Sequence, residues 1–383
     1  MNTEKIIGYI DTVPGMGVPG ADVCIYKDHK EVLRYMTGYA DSKHTVPVSN
    51  STQYLVFSMT KLQTMTAVMQ LVEKGDISLE DEVAKFLPAY GELYVEDENG
   101  EFVKSGIRCR KAKTKLLLKH LVSMQSGLDY NLERPGIKRV LAEKGLQATT
   151  REIVDSFTES PLKFEPGGHF MYSLSHDVVA AIIEVVSGMS FGDYLKKNVW
   201  EPLGMKRTYF AGPMNDDVPN LAEQFIQNQD GEIVPMEASD CYQLSDKYES
   251  GGAGLISCTE DYIKLADMLA CGGVSADGAR GLKSEPIETM RTNLLSEAGR
   301  ADIASTMGRT AYGYGCGVQI FMEPDLVSSP AIPGIFGWDG AAGGCLIADP
   351  VNHISLVYLQ HVRSMGRAYS EIHPTLRDLL YSE

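Results

Sequence analysis

No stretch of the chain reaches the eighteen or so consecutive apolar residues that a membrane-crossing helix requires; the longest apolar run, 178–186, is interrupted by Glu184. Residues 1–11 lack the basic start and apolar core of an export signal, so a cytoplasmic protein without a membrane partner is expected. Positive charge is also short. Against 51 aspartates and glutamates stand 35 lysines and arginines, a formal net charge of −16 that disfavours nucleic acid and anionic lipid as partners. The seven cysteines (24, 109, 241, 258, 271, 316 and 345) contain no Cys-x-x-Cys pair, and their odd number suits small core residues kept reduced. The eight histidines show no ligand spacing, so neither a metal nor an organic cofactor is called for. Internal repeats and low-complexity tracts are missing as well.

What is present is a chain of 383 residues, 44% apolar, enough for two domains or for one domain with a large insertion. Strand patterns gather at its two ends. Residues 21–40 form a hairpin pattern around a polar turn, 312–322 a strand, and 345–348 and 354–360 two more strands joined by Asp349-Pro350-Val351-Asn352. Helical patterns fill the middle: 58–74 up to Gly75, a short helix opened by Ser78-Leu79-Glu80-Asp81 and ended by Pro88, then 115–124, 151–159, 177–187 and 259–269. A small hairpin excursion is expected at 92–107 around Asp97-Glu98-Asn99-Gly100, a solvated basic face at 108–115, and a flexible turn at Gly251-Gly252-Ala253-Gly254. The expected fold class is α/β (α+β): an antiparallel sheet built from both chain ends and flanked by helices. Residues 1–75 and 240–383 would form that sheet domain, and 76–239 a mostly helical inserted domain.

One helix carries chemistry at its head. In Phe57-Ser58-Met59-Thr60-Lys61 the hydroxyl of Ser58 and the amine of Lys61 lie three residues apart, on one helix face, as a nucleophile beside a base. The same letters also fit a helix-start serine with a snorkelling lysine. A second Ser-x-x-Lys, Ser160 to Lys163, fails because Pro161 and the Phe164-Glu165-Pro166-Gly167 break leave no room for a helix. Gly188-Met189-Ser190-Phe191-Gly192 fits a hydrolase elbow by letter, yet a helix pattern precedes it where a strand is needed, and Ser190 with Asp193 suits a helix cap. Gly15-Met16-Gly17-Val18-Pro19-Gly20 precedes a strand where a dinucleotide fingerprint must follow one, and is a loop.

Three ordered stretches give the first of these motifs its context: Ser58-x-x-Lys61; Phe164-Glu165-Pro166-Gly167-Gly168-His169-Phe170-Met171-Tyr172-Ser173; and Gly337-Trp338-Asp339-Gly340-Ala341. With Leu121-Val122-Ser123-Met124-Gln125-Ser126-Gly127-Leu128 and Trp200-Glu201-Pro202-Leu203-Gly204-Met205 between them, the chain resembles the serine β-lactamase and penicillin-binding-protein family, class C-like and closest to its esterase branch. The resemblance extends from Gly20 to Gln360. It implies a β-lactamase/transpeptidase-like fold, with Ser58 as acylated nucleophile, Lys61 as its base and Tyr172 relaying a proton to the leaving group. The backbone N–H groups of Ser58 and Ala341 would form the oxyanion hole. Trp338, Asp339 and Gly340 would contact substrate; Asn131 would bond a substrate carbonyl or be a solvated loop residue, and His176 would join the catalytic group or cap the core.

Departures from the family pattern bear on the substrate. Leu174 stands where a Tyr-x-Asn pattern has asparagine, and Trp338 replaces the cation of a Lys-Thr-Gly or His-x-Gly strand. Losing that cation removes a charge-assisted contact to a substrate carboxylate, worth about 1.5–3 kcal/mol, and Asp339 would repel the carboxylate further. A serine hydrolase acting on small esters or amides, as carboxylesterase or acyltransferase, is therefore expected. The alternatives are a β-lactamase or D-Ala-D-Ala carboxypeptidase, and a protein that binds acyl compounds or β-lactams without turnover.

Overall fold

A computed structural model describes residues 1–210, 218–236 and 242–382. Cys241 lies outside the described residues. Seven strands make one antiparallel sheet: β1 (Gly20–Lys27), β2 (Lys30–Gly38), β3 (Tyr312–Tyr314), β4 (Gln319–Phe321), β5 (Phe336–Asp339), β6 (Cys345–Asp349) and β7 (Ile354–Gln360). Their spatial order is β3-β4-β5-β6-β7-β1-β2. The two ends of the chain meet at its centre, where Val23 of β1 is opposite Tyr35 of β2 on one side and Tyr358 of β7 on the other.

Helices cover both faces: α1 (Thr3–Ile10), α2 (Thr60–Lys74), α3 (Ser175–Ser187), α4 (Thr259–Ala270) and α5 (His373–Leu379). Successive strand residues point to opposite faces, and the central strands split accordingly. Val23, Ile25, Leu356 and Tyr358 pack with Ile6, Ile10 and Leu376 of α1 and α5. Their neighbours Cys24, Val357 and Leu359 join the larger cluster that holds Met65, Val68, Ile182, Leu265 and Leu269 of α2, α3 and α4. A sheet covered on both faces loses the apolar and polar alternation, and every residue of β7 is buried. Leu121, Ile153, Leu195 and other residues from 76–239 belong to the same large cluster as α2 and β7. No single helix among the described residues is long and apolar enough to cross a membrane.

Five local expectations change. The stretch after Ser78 forms only a 3-10 turn, Val83–Lys85, because Asp81 turns back to hold the Ser78 N–H at 2.8 Å and Glu82 pairs in extended form with Leu117. That pairing also trims the helix expected at 115–124 to Leu118–Val122. At 92–111 the middle strand is Ile107–Lys111, flanked by Tyr94–Glu96 and Phe102–Lys104, so the basic residues lie on a strand where Arg110 pairs with Asp97 and Glu165. Gly315-Cys316-Gly317 breaks the expected strand at 312–322 into the hairpin β3 and β4. Residues 251–254 are buried rather than flexible: a Cβ on Gly251 would lie 2.2 Å from the carbonyl oxygen of His176, so glycine lets this turn press against α3.

Candidate active site

The position of Ser58 is set before α2 begins. Val56 donates its N–H to the Leu255 carbonyl at 3.1 Å, and Phe57 then adopts a left-handed φ of 44°, strain on the order of 1–3 kcal/mol for a bulky residue. Its buried ring is held edge-on by Tyr242 at 5.8 Å and beneath the Arg363 guanidinium at 5.3 Å. The next residue, Ser58, enters a 3-10 turn, half-buried at the head of the helix.

One turn later Lys61 is fully buried, its Nζ 3.3 Å from the Ser58 Oγ and donating to the Gly252 carbonyl at 2.6 Å. Burial pulls the amine down to about 7, partly offset by the carboxylates of Asp177 and Asp339. The nearer surroundings are aromatic: Nζ lies 4.7 Å from the ring centre of Tyr172 and 5.8 Å from that of Tyr130. Asp177 is buried on α3, accepts from Tyr248 at 2.7 Å and Ser250 at 2.6 Å, and is itself pushed up by burial.

Tyr172 is stacked between Tyr130 and Trp338, each with its ring centre 5.7 Å away. The Trp338 indole N–H donates to the Tyr172 hydroxyl at 3.3 Å. Burial raises the phenol far above the usual tyrosine range, and hydrogen bonds from Ser58 and Trp338 offset only part of that. Tyr172 therefore stays protonated in the resting protein, and among these side chains Lys61 is the one poised to accept a proton.

Ser58, Tyr172, Trp338, Asp339 and Ala341 line one cleft of about 790 Å³. The N–H groups of Ser58 and Ala341 have no acceptor among the described residues, as the two donors of an oxyanion hole require. Two expected substrate contacts fall elsewhere. Gly340 donates its N–H to the Gly344 carbonyl and its own carbonyl accepts from the Tyr369 hydroxyl, and a Cβ there would lie 2.3 Å from the Val56 oxygen. Asn131 is exposed and caps its own loop through the Glu133 N–H at 2.9 Å, while its neighbour Tyr130 takes the place beside Tyr172.

Asp339 is no free repelling charge, because its carboxylate is buried against the Arg309 guanidinium. His176 sits in the core with Nε2 3.2 Å from the Val122 carbonyl, and burial holds its pKa well below the ordinary value, so the ring is neutral. Ser190 accepts from the Asp193 N–H at 3.1 Å as a helix cap. Tyr130 and Arg309 escaped the sequence reading. Tyr130 stands next to the asparagine that reading singled out, whereas nothing in the text around Arg309 marks it.

The Beta-lactamase family model matches residues 10–377. The chain belongs to that family. Protein Rv1367c of Mycobacterium tuberculosis is 26% identical over 348 residues, covering 89% of this chain and 86% of its own. A protein of Salmonella enteritidis, named provisionally as a D-alanyl-D-alanine carboxypeptidase, is 25% identical over 97% of this chain and 85% of its own. Among solved structures, EstCE1, described as a hydrolase with promiscuous acyltransferase activity, superposes over 99% of this chain and 98% of its own with TM-score 0.78 at 24% identity. Simvastatin synthase (LovD) from Aspergillus terreus does so over all of both chains, TM-score 0.78 at 21% identity. These two likenesses establish the family's fold for this chain.

Proposed function

We propose that the protein is a serine hydrolase working through an acyl-enzyme on Ser58, a carboxylesterase or acyltransferase on small esters. The observation that carries this reading is the buried Lys61 amine, lowered to about 7, 3.3 Å from the Ser58 hydroxyl. In its neutral form Lys61 takes the Ser58 proton as Oγ attacks the substrate carbonyl, and the carbonyl electron pair moves onto oxygen, where the Ser58 and Ala341 N–H groups receive it. Collapse of that intermediate breaks the ester bond. The departing alkoxide takes a proton from Tyr172, which is made good from protonated Lys61. Water or an alcohol then attacks the acyl-enzyme, gives its proton to Lys61, and the serine leaves reprotonated.

Neutral acyl and alcohol groups suit the cleft, since Trp338 lines it and its charged lining residues fall in two ion pairs, Arg309 with Asp339 and Arg377 with Asp378. Cytoplasmic location is part of the proposal, in keeping with the free thiols at Cys24, Cys109, Cys258, Cys271, Cys316 and Cys345. A second reading, β-lactamase or D-Ala-D-Ala carboxypeptidase, has the provisionally named Salmonella relative and one local feature in its favour: Arg309 lines the cleft, where it could meet a carboxylate.

The test is the ratio of p-nitrophenyl butyrate to chromogenic cephalosporin hydrolysis, with Ser58→Ala as the blank. Ester turnover that disappears in the variant supports the proposal, and retained turnover there refutes it. A ratio favouring the cephalosporin moves the reading to β-lactamase. A lasting acyl adduct by intact mass, without turnover, makes this a binding protein.

A further inference from the structure

We propose that His29, Asp267 and Cys271 form a transition-metal site, and that Zn²⁺ is the ion whose chemistry suits them. His29 stands at the β1–β2 turn, where Asp28 and His29 take left-handed φ angles of 49° and 66° and swing the imidazole over the end of α4. Asp267 is in the last turn of that helix and Cys271 follows at its C-cap, one helical turn on. The His29 Nδ1 is 2.8 Å from the Asp267 Oδ2, the Cys271 Sγ is 3.6 Å from the Asp267 Oδ1, and the three donor atoms all lie within 4.8 Å of one another.

One further feature favours a cation: the Asp267 side chain is only 2% exposed, a buried carboxylate whose side-chain contacts are His29 and Cys271 themselves. Ligand type narrows the choice. A thiolate, an imidazole and a carboxylate together suit Zn²⁺ or Co²⁺ and not the all-oxygen preferences of Ca²⁺ and Mg²⁺. Tetrahedral bonds of about 2.0–2.3 Å put donors roughly 3.3–3.8 Å apart, so the His29 to Asp267 contact must open by about 0.5–1 Å, and any pair near the 4.8 Å limit must close by about 1 Å. The His29 side chain is 37% exposed, so burial does not block that move.

Binding replaces the thiol S–H bond with a metal–sulfur bond and releases that proton to solvent, with no change in oxidation state. The site is separate from the proposed chemistry, since none of its three residues lines the Ser58 cleft. His29 is 238 positions from Asp267 in sequence, which is why histidine spacing gave no sign of the site.

Titrating the metal-stripped full chain with Co²⁺ alone tests the site by absorption. The expected result is a thiolate-to-cobalt charge-transfer band that saturates at one ion per chain, vanishes in Cys271→Ser and needs at least tenfold more metal in His29→Asn. Asparagine tolerates the left-handed turn, so His29→Asn should keep the fold and the ester turnover of the parent. Zn²⁺ should bleach the band, and should raise the Tm of the parent more than that of His29→Asn. No band at one equivalent, or a band that survives in Cys271→Ser, overturns the proposal.

Discussion

Two cations are buried beside the same cleft, and they answer burial in opposite ways. Among the described residues Lys61 has no direct carboxylate partner; it sits among aromatic rings, with its amine lowered to about 7. Arg309, 5% exposed, is in direct contact with Asp339, and its guanidinium is held above its ordinary value by that charge and that hydrogen bond. An amine can shed its proton when water is removed, whereas a guanidinium stays charged and must be paired. One site is thus ready to move a proton and the other to hold strands and helices in place.

Exchanging their properties should break the contrast. Lys61→Arg keeps a cation but ends proton acceptance, and should lower kcat/KM for p-nitrophenyl butyrate about 10²–10⁴-fold while the protein stays folded. Arg309→Met should leave Asp339 buried and unpaired at a cost of about 3–5 kcal/mol in urea denaturation. The double change Arg309→Met with Asp339→Leu should recover most of that loss. In Trp338→Phe the ring stays but the N–H to Tyr172 is lost, about 0.5–1.5 kcal/mol, or a few-fold to tenfold in kcat. Ser190→Ala, outside the comparison, should cost about 1 kcal/mol of stability as a lost cap and leave turnover intact; a large loss of activity would revive the elbow reading.

The pH dependence separates the two cations without mutation. With Lys61 as base, kcat/KM should rise as pH climbs through about 7. Asp177→Asn removes a charge that favours the protonated amine, so that rise should move to lower pH. Stability follows the same group. Between about 7 and the ordinary lysine value of 10.5 the unfolded chain binds a proton that the folded chain does not, so unfolding free energy increases with pH across this window. Lys61→Met should flatten that slope, and Arg309→Met should not.

The sequence reading was strongest where chemistry is local. The Ser58 to Lys61 spacing needs only one helical turn, and Gly75 and Ser190 act as helix punctuation within a few residues of where their effect is seen. The sheet built from both ends was also legible, because β1, β2, β6 and β7 each show their own strand pattern. What could not be read is set by partners distant in sequence. Asp339 looked like a repelling charge until Arg309, thirty residues earlier, was found against it. Gly340 looked like part of a binding strand, yet its packing is decided by Val56 and Tyr369. Helices α1 and α5 went unmarked; each is at most eight residues long and both are stabilised by the far side of the sheet.

That sheet has a bearing on biosynthesis. Ser58 and Lys61 leave the ribosome well before residue 336, but Ala21 pairs with Gln360, so β1 lacks its second neighbour until residues 354–360 have been made. Ala341 and Trp338 arrive in the same late segment. A nascent chain halted before residue 336 would carry Ser58 and Lys61 without Trp338 or Ala341, and with an unfilled edge on β1. The candidate site is thereby incomplete until that later segment has been made, and the exposed β1 edge makes the interval before it a period of aggregation risk.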